Sequence, residues 1–196
     1  MFSFFKSKKK LPAYSYHTYQ TDFEKYWMLV QDLLAQSKES KILLVHYFDD
    51  TRTELVKLME KAGLEFNVNQ TSFQAGVNIN LVSYDEALNN SLFSEYNVWS
   101  AEVFPVWSLT TKFLECHKEA SKIIFFTSME SPFFDLFGGE RLKTLMKNLG
   151  MKENEKIQHQ MIDKSIERAQ QKLEEKAQNI NIKTSFEDWM AQNHSS

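Results

Sequence analysis

Apolar and polar positions along this chain follow two periods, one expected of amphipathic helices and one of buried strands. Over residues 22–34 the apolar residues Phe23, Tyr26, Trp27, Val30, Leu33 and Leu34 recur at three- and four-residue spacing, which predicts a helix. Residues 42–48, ILLVHYF, form a nearly continuous apolar run of strand length, the pattern of a parallel strand covered on both faces. In the following DDTRTELVKLMEKAG, Leu55, Val56, Leu58 and Met59 mark a buried helical stripe. Asp49, Asp50 or Thr51 are the candidate caps, and Gly63 is the stop signal. A second strand is expected over about residues 65–69, and strand, helix, strand at this spacing argues for a right-handed parallel crossover. Further strands are predicted over residues 78–83, 98–104 and 122–128. A helix over residues 108–117 would carry Leu109, Phe113 and Leu114. This alternation predicts an α/β fold: an open, mainly parallel sheet in a three-layer arrangement.

The carboxy-terminal third reads as helical. Residues 140–148 are expected to form a helix ending at Gly150. Over about residues 158–178, Met161, Ile162, Ile166, Ala169, Leu173 and Ala177 make one apolar stripe opposite a charged face. That stripe must lie on something, either the domain itself or a partner; a protein partner is expected to dock through Ile162, Ile166, Ala169 and Leu173. The tail TSFEDWMAQNHSS predicts one short helix capped by Thr184 or Ser185. The expected organisation is a leader over residues 1–12, an α/β domain over 13–137 and a helical extension over 138–196.

Composition narrows the function classes. The 196 residues are 42% hydrophobic and 14% aromatic, with sixteen phenylalanines, enough for a substantial core. A net charge of −3 leaves no electrostatic footprint for nucleic acid. Tyr14, Tyr16, Tyr19, Trp27, Trp99 and Trp107 have no basic groove beside them for stacking single strands. Cys116 is the single cysteine, which excludes an intrachain disulfide and a multi-cysteine zinc site. No apolar run reaches the ~20 residues that span a bilayer. The leader MFSFFKSKKK lacks the order and length of a secretory signal, so a cytoplasmic protein is expected. Phe2, Phe4 and Phe5 with Lys6, Lys8, Lys9 and Lys10 give at most weak, reversible contact with an anionic inner membrane face, at ~1 kcal/mol per basic residue.

Candidate chemistry is sparse. Cys116 and His117 are neighbours on a predicted helix, where side chains do not readily converge as nucleophile and base. His46, inside an apolar strand, reads as a hydrogen-bonded core histidine. His17, His159 and His194 share no metal spacing. Asp49 and Asp50 lie at the carboxyl end of a strand, where α/β sheets place ligands, though helix capping accounts for them as well. Gly138-Gly139, beside Phe133, Phe134 and Phe137, reads as a packed turn rather than a phosphate cradle. No cofactor and no small-molecule substrate are indicated.

One stretch carries a family signature. Phe125-Phe126, Phe137-Gly138, Glu140-Arg141, Leu149-Gly150-Met151, Ile157-Gln158-His159 and Ser165-Ile166-Glu167-Arg168-Ala169-Gln170 follow in fixed order over some fifty residues. The order resembles the place where the second motor domain of SecA, the ATPase of bacterial protein export, runs into its helical scaffold. Weaker echoes extend the resemblance over about residues 14–182, including Leu64, Val68-Asn69 and Glu102, the last in place of a family glutamate. The resemblance implies a RecA-like (P-loop NTPase-type) fold. It also exposes losses. Where the family has Gly-Arg-Gly-Thr-Asp this chain has LVSYDEALNN, and where the family has arginine fingers it has LTTKFLECHKEAS. Lysine does not replace the planar arginine fork, so Lys112 and Lys118 are poor substitutes. No Gly-x-x-x-x-Gly-Lys string exists in the chain. The resulting expectation is a degenerate, non-catalytic motor-domain relative kept as an interaction or regulatory module. The alternatives are an accessory subunit completing a nucleotide site in trans, with Lys112 its one weak candidate, and a peripheral membrane protein held by its leader.

Overall fold

The computed structural model describes residues 11–70, 74–89, 96–137 and 155–193. Six strands, β1 (Ser15–Tyr19), β2 (Ile42–His46), β3 (Asn67–Val68), β4 (Ile79–Ser83), β5 (Asn97–Ser100) and β6 (Lys122–Ser128), form one sheet in the order β1-β6-β5-β2-β4-β3. All five pairings are parallel, with Leu44 opposite Leu81 and Trp99, and Tyr16 opposite Phe125.

The strands are apolar on both faces because both faces are covered. Leu43, Val45, Ile123 and Phe125 point into one core, which also holds Phe104, Phe113, Ile162, Ile166 and Trp189. Their neighbours Ile42, Leu44, Ile124 and Phe126 point into a second core with Leu29, Leu33, Leu55 and Met59. This period-two division along near-continuous apolar strands is what a buried parallel sheet requires. The second core is closed by α1 (Asp22–Gln36) and α2 (Asp49–Lys61). The first is closed by α3 (Tyr84–Asn89), α4 (Trp107–Cys116), α5 (Gln160–Lys176) and α6 (Phe186–Asn193). The result is the three-layer, RecA-like α/β arrangement expected from the alternation of elements.

Several expectations change. Residues 15–19 are a strand, β1, pairing with β6 at the sheet edge; its polar-looking His17 and Thr18 conceal a segment buried at four of five positions. The strand expected over residues 98–104 ends at Ser100, and the one over 65–69 shrinks to Asn67–Val68. The apolar stripe of α5 does not face outward. Ile162, Ile166, Ala169 and Leu173 are all buried in the first core, so a partner cannot reach them without detaching the helix. Gln170, fully buried, fixes that docking by donating to the Phe104 carbonyl at 2.6 Å and to Thr110 Oγ1 at 2.7 Å. The helix predicted over 140–148, the Gly138-Gly139 turn, residues 1–10 of the leader and His194 lie outside the described residues.

Candidate functional site

In an open parallel sheet, loops and helix starts collect at the carboxyl ends of the strands, and ligands bind there. Here the centre of that edge is Glu102, just after β5. Its half-buried carboxylate accepts from the backbone N–H of Tyr47 at 2.6 Å and of Phe48 at 2.9 Å, and from the Thr51 hydroxyl at 2.5 Å. These donors follow β2 and begin α2, so one side chain ties two strand ends together. Burial raises the Glu102 carboxyl to about 7, against the pull of Thr51, the two amides and Lys25.

Lys25 enters the same space from α1. Its ammonium lies 2.9 Å from Asp22 Oδ1 and 4.1 Å from the centre of the Tyr26 ring. Burial alone would lower Lys25, but Tyr26, Asp22 and Glu102 more than offset it and hold it above its ordinary value. Ser128, at the end of β6, donates to the same Asp22 oxygen at 2.8 Å. Between these groups lies a cleft of about 90 Å³, lined by Lys25, Tyr26, Thr51, Glu102, Ser131 and Phe186 among others.

The start of α2 departs from expectation. Its N-cap is Phe48, which supplies no side-chain bond, and neither Asp49 nor Asp50 takes that role. The free N–H groups of the first turn find remote acceptors instead. Asp49 N–H donates to the Lys183 carbonyl at 2.7 Å and Asp50 N–H to the Thr184 carbonyl at 3.1 Å. Asp50 Oδ1 takes the N–H of Thr51 at 2.6 Å. Beyond Thr184 the chain turns into α6, where the Ser185 hydroxyl accepts from Asp188 N–H at 3.0 Å, the cap anticipated for this helix. Phe186 then packs on Phe48 and Phe133, with ring centres 5.6 and 4.7 Å apart. Trp189 is fully buried.

This geometry opposes a triphosphate. An anion at a helix start needs free N–H groups and converging cations. The N–H groups of α2 are already bonded, and Lys25 shares the cleft with Asp22, Asp50, Glu102 and Glu187. No arginine lines the cleft among the described residues; Arg52, in α2, bears on His46 instead. Lys112 and Lys118 are exposed and do not line it.

The remaining candidates scatter. The Cys116 thiol donates to the Leu88 carbonyl at 3.3 Å and is pushed up by burial, while buried His117 is lowered to about 4. Both shifts run against a thiolate–imidazolium pair. His46 is a core residue, its Nδ1 3.2 Å from the Phe48 carbonyl, and burial lowers it to about 4. His17 is buried beside Lys156 and lowered to about 3, and His159 caps α5 by accepting from Met161 N–H. No group of three metal-binding side chains is assembled among the described residues. Among these residues, no helix is long and apolar enough to cross a membrane. Of the aromatic residues, Tyr16, Tyr19 and Trp99 serve the core, while Trp27 is exposed.

Sequence reading missed Lys25, Thr51 as a donor to Glu102, and the capping carbonyls of Lys183 and Thr184. The Asp22/Lys25 spacing of three was a signal for the ion pair. Backbone carbonyls carry no sequence signal at all.

No family model matches this chain. It is 55% identical over 51 residues, 26% of its length, to the protein translocase subunit SecA of Christiangramia forsetii, of which the match covers 5%. With SecA of Anaplasma marginale it shares 48% over 62 residues, 32% of this chain and 7% of that protein. With SecA of Chlorobium phaeobacteroides the figures are 50% over 60 residues, 31% and 6%. The chain thus spans a small fraction of the length of the curated relatives it matches. Among solved structures, it aligns with the C-terminal part of the Fun30 ATPase domain at TM-score 0.43 and 13% identity, over 76% of this chain and 54% of that one. It aligns with the E. coli DEAD-box protein SrmB, crystallised with the regulator of ribonuclease activity A, at 0.49 and 14%, over 64% and 82%. Both scores are too low to decide a fold, which here is set by the sheet topology itself. In part of its length this chain resembles SecA, and its parallel sheet with helices on both faces is a RecA-like α/β arrangement.

Proposed function

We propose that this chain is a non-catalytic relative of the second motor domain of SecA, acting as a protein-interaction or regulatory module linked to protein translocation. Local identity near one half to SecA supports the lineage and the link to translocation. The observation that carries the loss of catalysis is the closure of the sheet's carboxyl edge by the chain's own carboxy-terminal residues. The first two amides of α2 are bonded to the Lys183 and Thr184 carbonyls, and Phe186 forms part of the wall of the adjoining cleft. Arginine fingers contribute orders of magnitude to phosphoryl transfer, and here the matching loop holds lysines that stand away from the cleft. Completion of a partner's nucleotide site in trans by Lys112 draws no support from that placement. The protein works in the cytoplasm, with weak membrane contact through its leader; deletion of residues 1–10 that leaves membrane fractionation unchanged removes the membrane part of this reading.

The test is steady-state ATP turnover by the purified chain, alone and with a SecA-type ATPase. The expected result is no turnover by the chain alone. Turnover that co-purifies with the protein and falls when Lys25 is replaced by Ala would overturn the reading.

A further inference from the structure

The segment over residues 178–193 is built as a unit. Asn193, at its far end, accepts from the N–H groups of Gln178 and Asn179, both at 2.8 Å, and donates to the Asn179 carbonyl at 2.9 Å. The two ends of a sixteen-residue loop are thereby clasped together, as in compact surface loops of the Ω type. Residues 178–181, which join this loop to α5, are exposed. Towards the domain the loop is held by the two backbone bonds to α2, the Tyr47 hydroxyl on the Ile180 carbonyl, Lys183 paired with Asp85, and the side chains of Ile182, Phe186, Met190 and Trp189, the last fully buried in the first core. A clasped loop joined through an exposed hinge is a contiguous unit of the kind that opens as one body.

The surface beneath it is aromatic. The Lys183 ammonium stands 5.1 and 5.8 Å from the ring centres of Tyr47 and Tyr84, and Phe186 sits between Phe48 and Phe133. With the loop lifted, these rings and the two α2 amides would form a groove with an acidic residue, Asp85, at one side. The seated loop states what such a groove recognises.

We propose that residues 178–193 are a releasable strap, and that its release bares a docking groove for a protein segment of the strap's own pattern: a lysine followed three and six residues later by aromatic side chains that enter a helix. This deepens the reading of the carboxyl edge as an interaction surface and rests on it. An ATP-turnover result, however, bears only on that earlier reading.

Native-state hydrogen exchange on the full wild-type chain tests release. The Asp49 and Asp50 amides are expected to exchange at least ~10-fold faster than those of Ile124 and Phe126 in β6, with little dependence on dilute denaturant. Equal rates, with equal denaturant dependence, would mean that the strap opens only when the protein unfolds, and would overturn the proposal. Binding is read by titrating a fluorescent synthetic peptide of residues 178–193 into full-length Phe186→Ala and wild type. The variant, with a weakened strap, is expected to bind at least ~10-fold more tightly, because less of the groove is self-occupied. A folded variant that binds no better than wild type overturns the proposal. If Phe186→Ala does not fold, the same titration on Asn193→Ala, which loosens the clasp and leaves the rings in place, decides it in the same way.

Discussion

The two helices that close one face of the sheet begin in opposite ways. α1 is started largely by its own sequence: Thr21 accepts from Glu24 N–H at 3.2 Å, the Glu24 carboxylate takes the Thr21 N–H at 3.1 Å, and the Asp22 N–H alone reaches a remote group, Glu130 Oε2 at 2.8 Å. This reciprocal box needs no other part of the fold. α2 is started from a distance. Its cap residue, Phe48, contributes no side-chain bond, and the nearby donors turn to Glu102, 54 positions away, and to the carbonyls of Lys183 and Thr184. A helix start satisfied locally is a structural detail. One satisfied by a remote segment lies at the carboxyl edge of the sheet, where open α/β sheets collect their ligand-binding loops.

Breaking the remote start should cost most. Glu102→Ala leaves two amides and a hydroxyl without their acceptor and removes one of the two carboxylates that act on Lys25. A loss of about 3–5 kcal/mol in chemical denaturation is expected. Trp189→Ala removes the fully buried anchor of α6 and should cost about 3–4 kcal/mol. It should also raise exchange at Asp49 and Asp50 while leaving the α1 amides unchanged.

A pH comparison isolates Glu102 without emptying its site. Its carboxyl is raised to about 7 in the folded protein, so the folded state holds that proton more tightly than the unfolded state. The associated stability is fully present below the unfolded value of about 4.5 and is lost as pH rises through 7. Stability of wild type minus that of Glu102→Gln should therefore fall by up to about 3 kcal/mol across this window and then level off. His17, His46 and His117 are lowered by burial and act in the opposite sense, favouring the fold above about 6.5 and costing stability as pH falls. They are common to both proteins and cancel in the difference. The smallest effect belongs to the local start: Thr21→Ala should cost about 1 kcal/mol, with no change in exchange at α2.

The same contrast explains what could be read from the sequence. Apolar period placed α1, β2, α4, β6 and α5 close to their observed positions, because each buries a continuous stripe or run that tertiary contacts only reinforce. β1 was missed because its buried positions include His17 and Thr18, polar residues held in the sheet by pairing with Phe126 and Thr127. Glu102 was legible by family resemblance, though its role here, bridging two strand ends, was not. The sequence assigns the capping of α2 to Asp49, Asp50 or Thr51, since short polar residues ahead of an apolar stripe are the local signature of a cap, whereas the cap position is Phe48. The true acceptors are main-chain carbonyls over 130 residues away, brought near by the burial of Phe186 and Trp189. The stripe of α5 left its target open, and the aromatic core of the domain claimed it.

A non-catalytic chain of this kind should not admit nucleotide to the carboxyl edge of its sheet. Equilibrium titration of the full chain with a fluorescent ATP analogue and Mg²⁺ tests this directly. No saturable binding is expected up to millimolar nucleotide. Saturable binding that unlabelled ATP displaces, and that Lys25→Ala or Glu102→Gln alters, would contradict it.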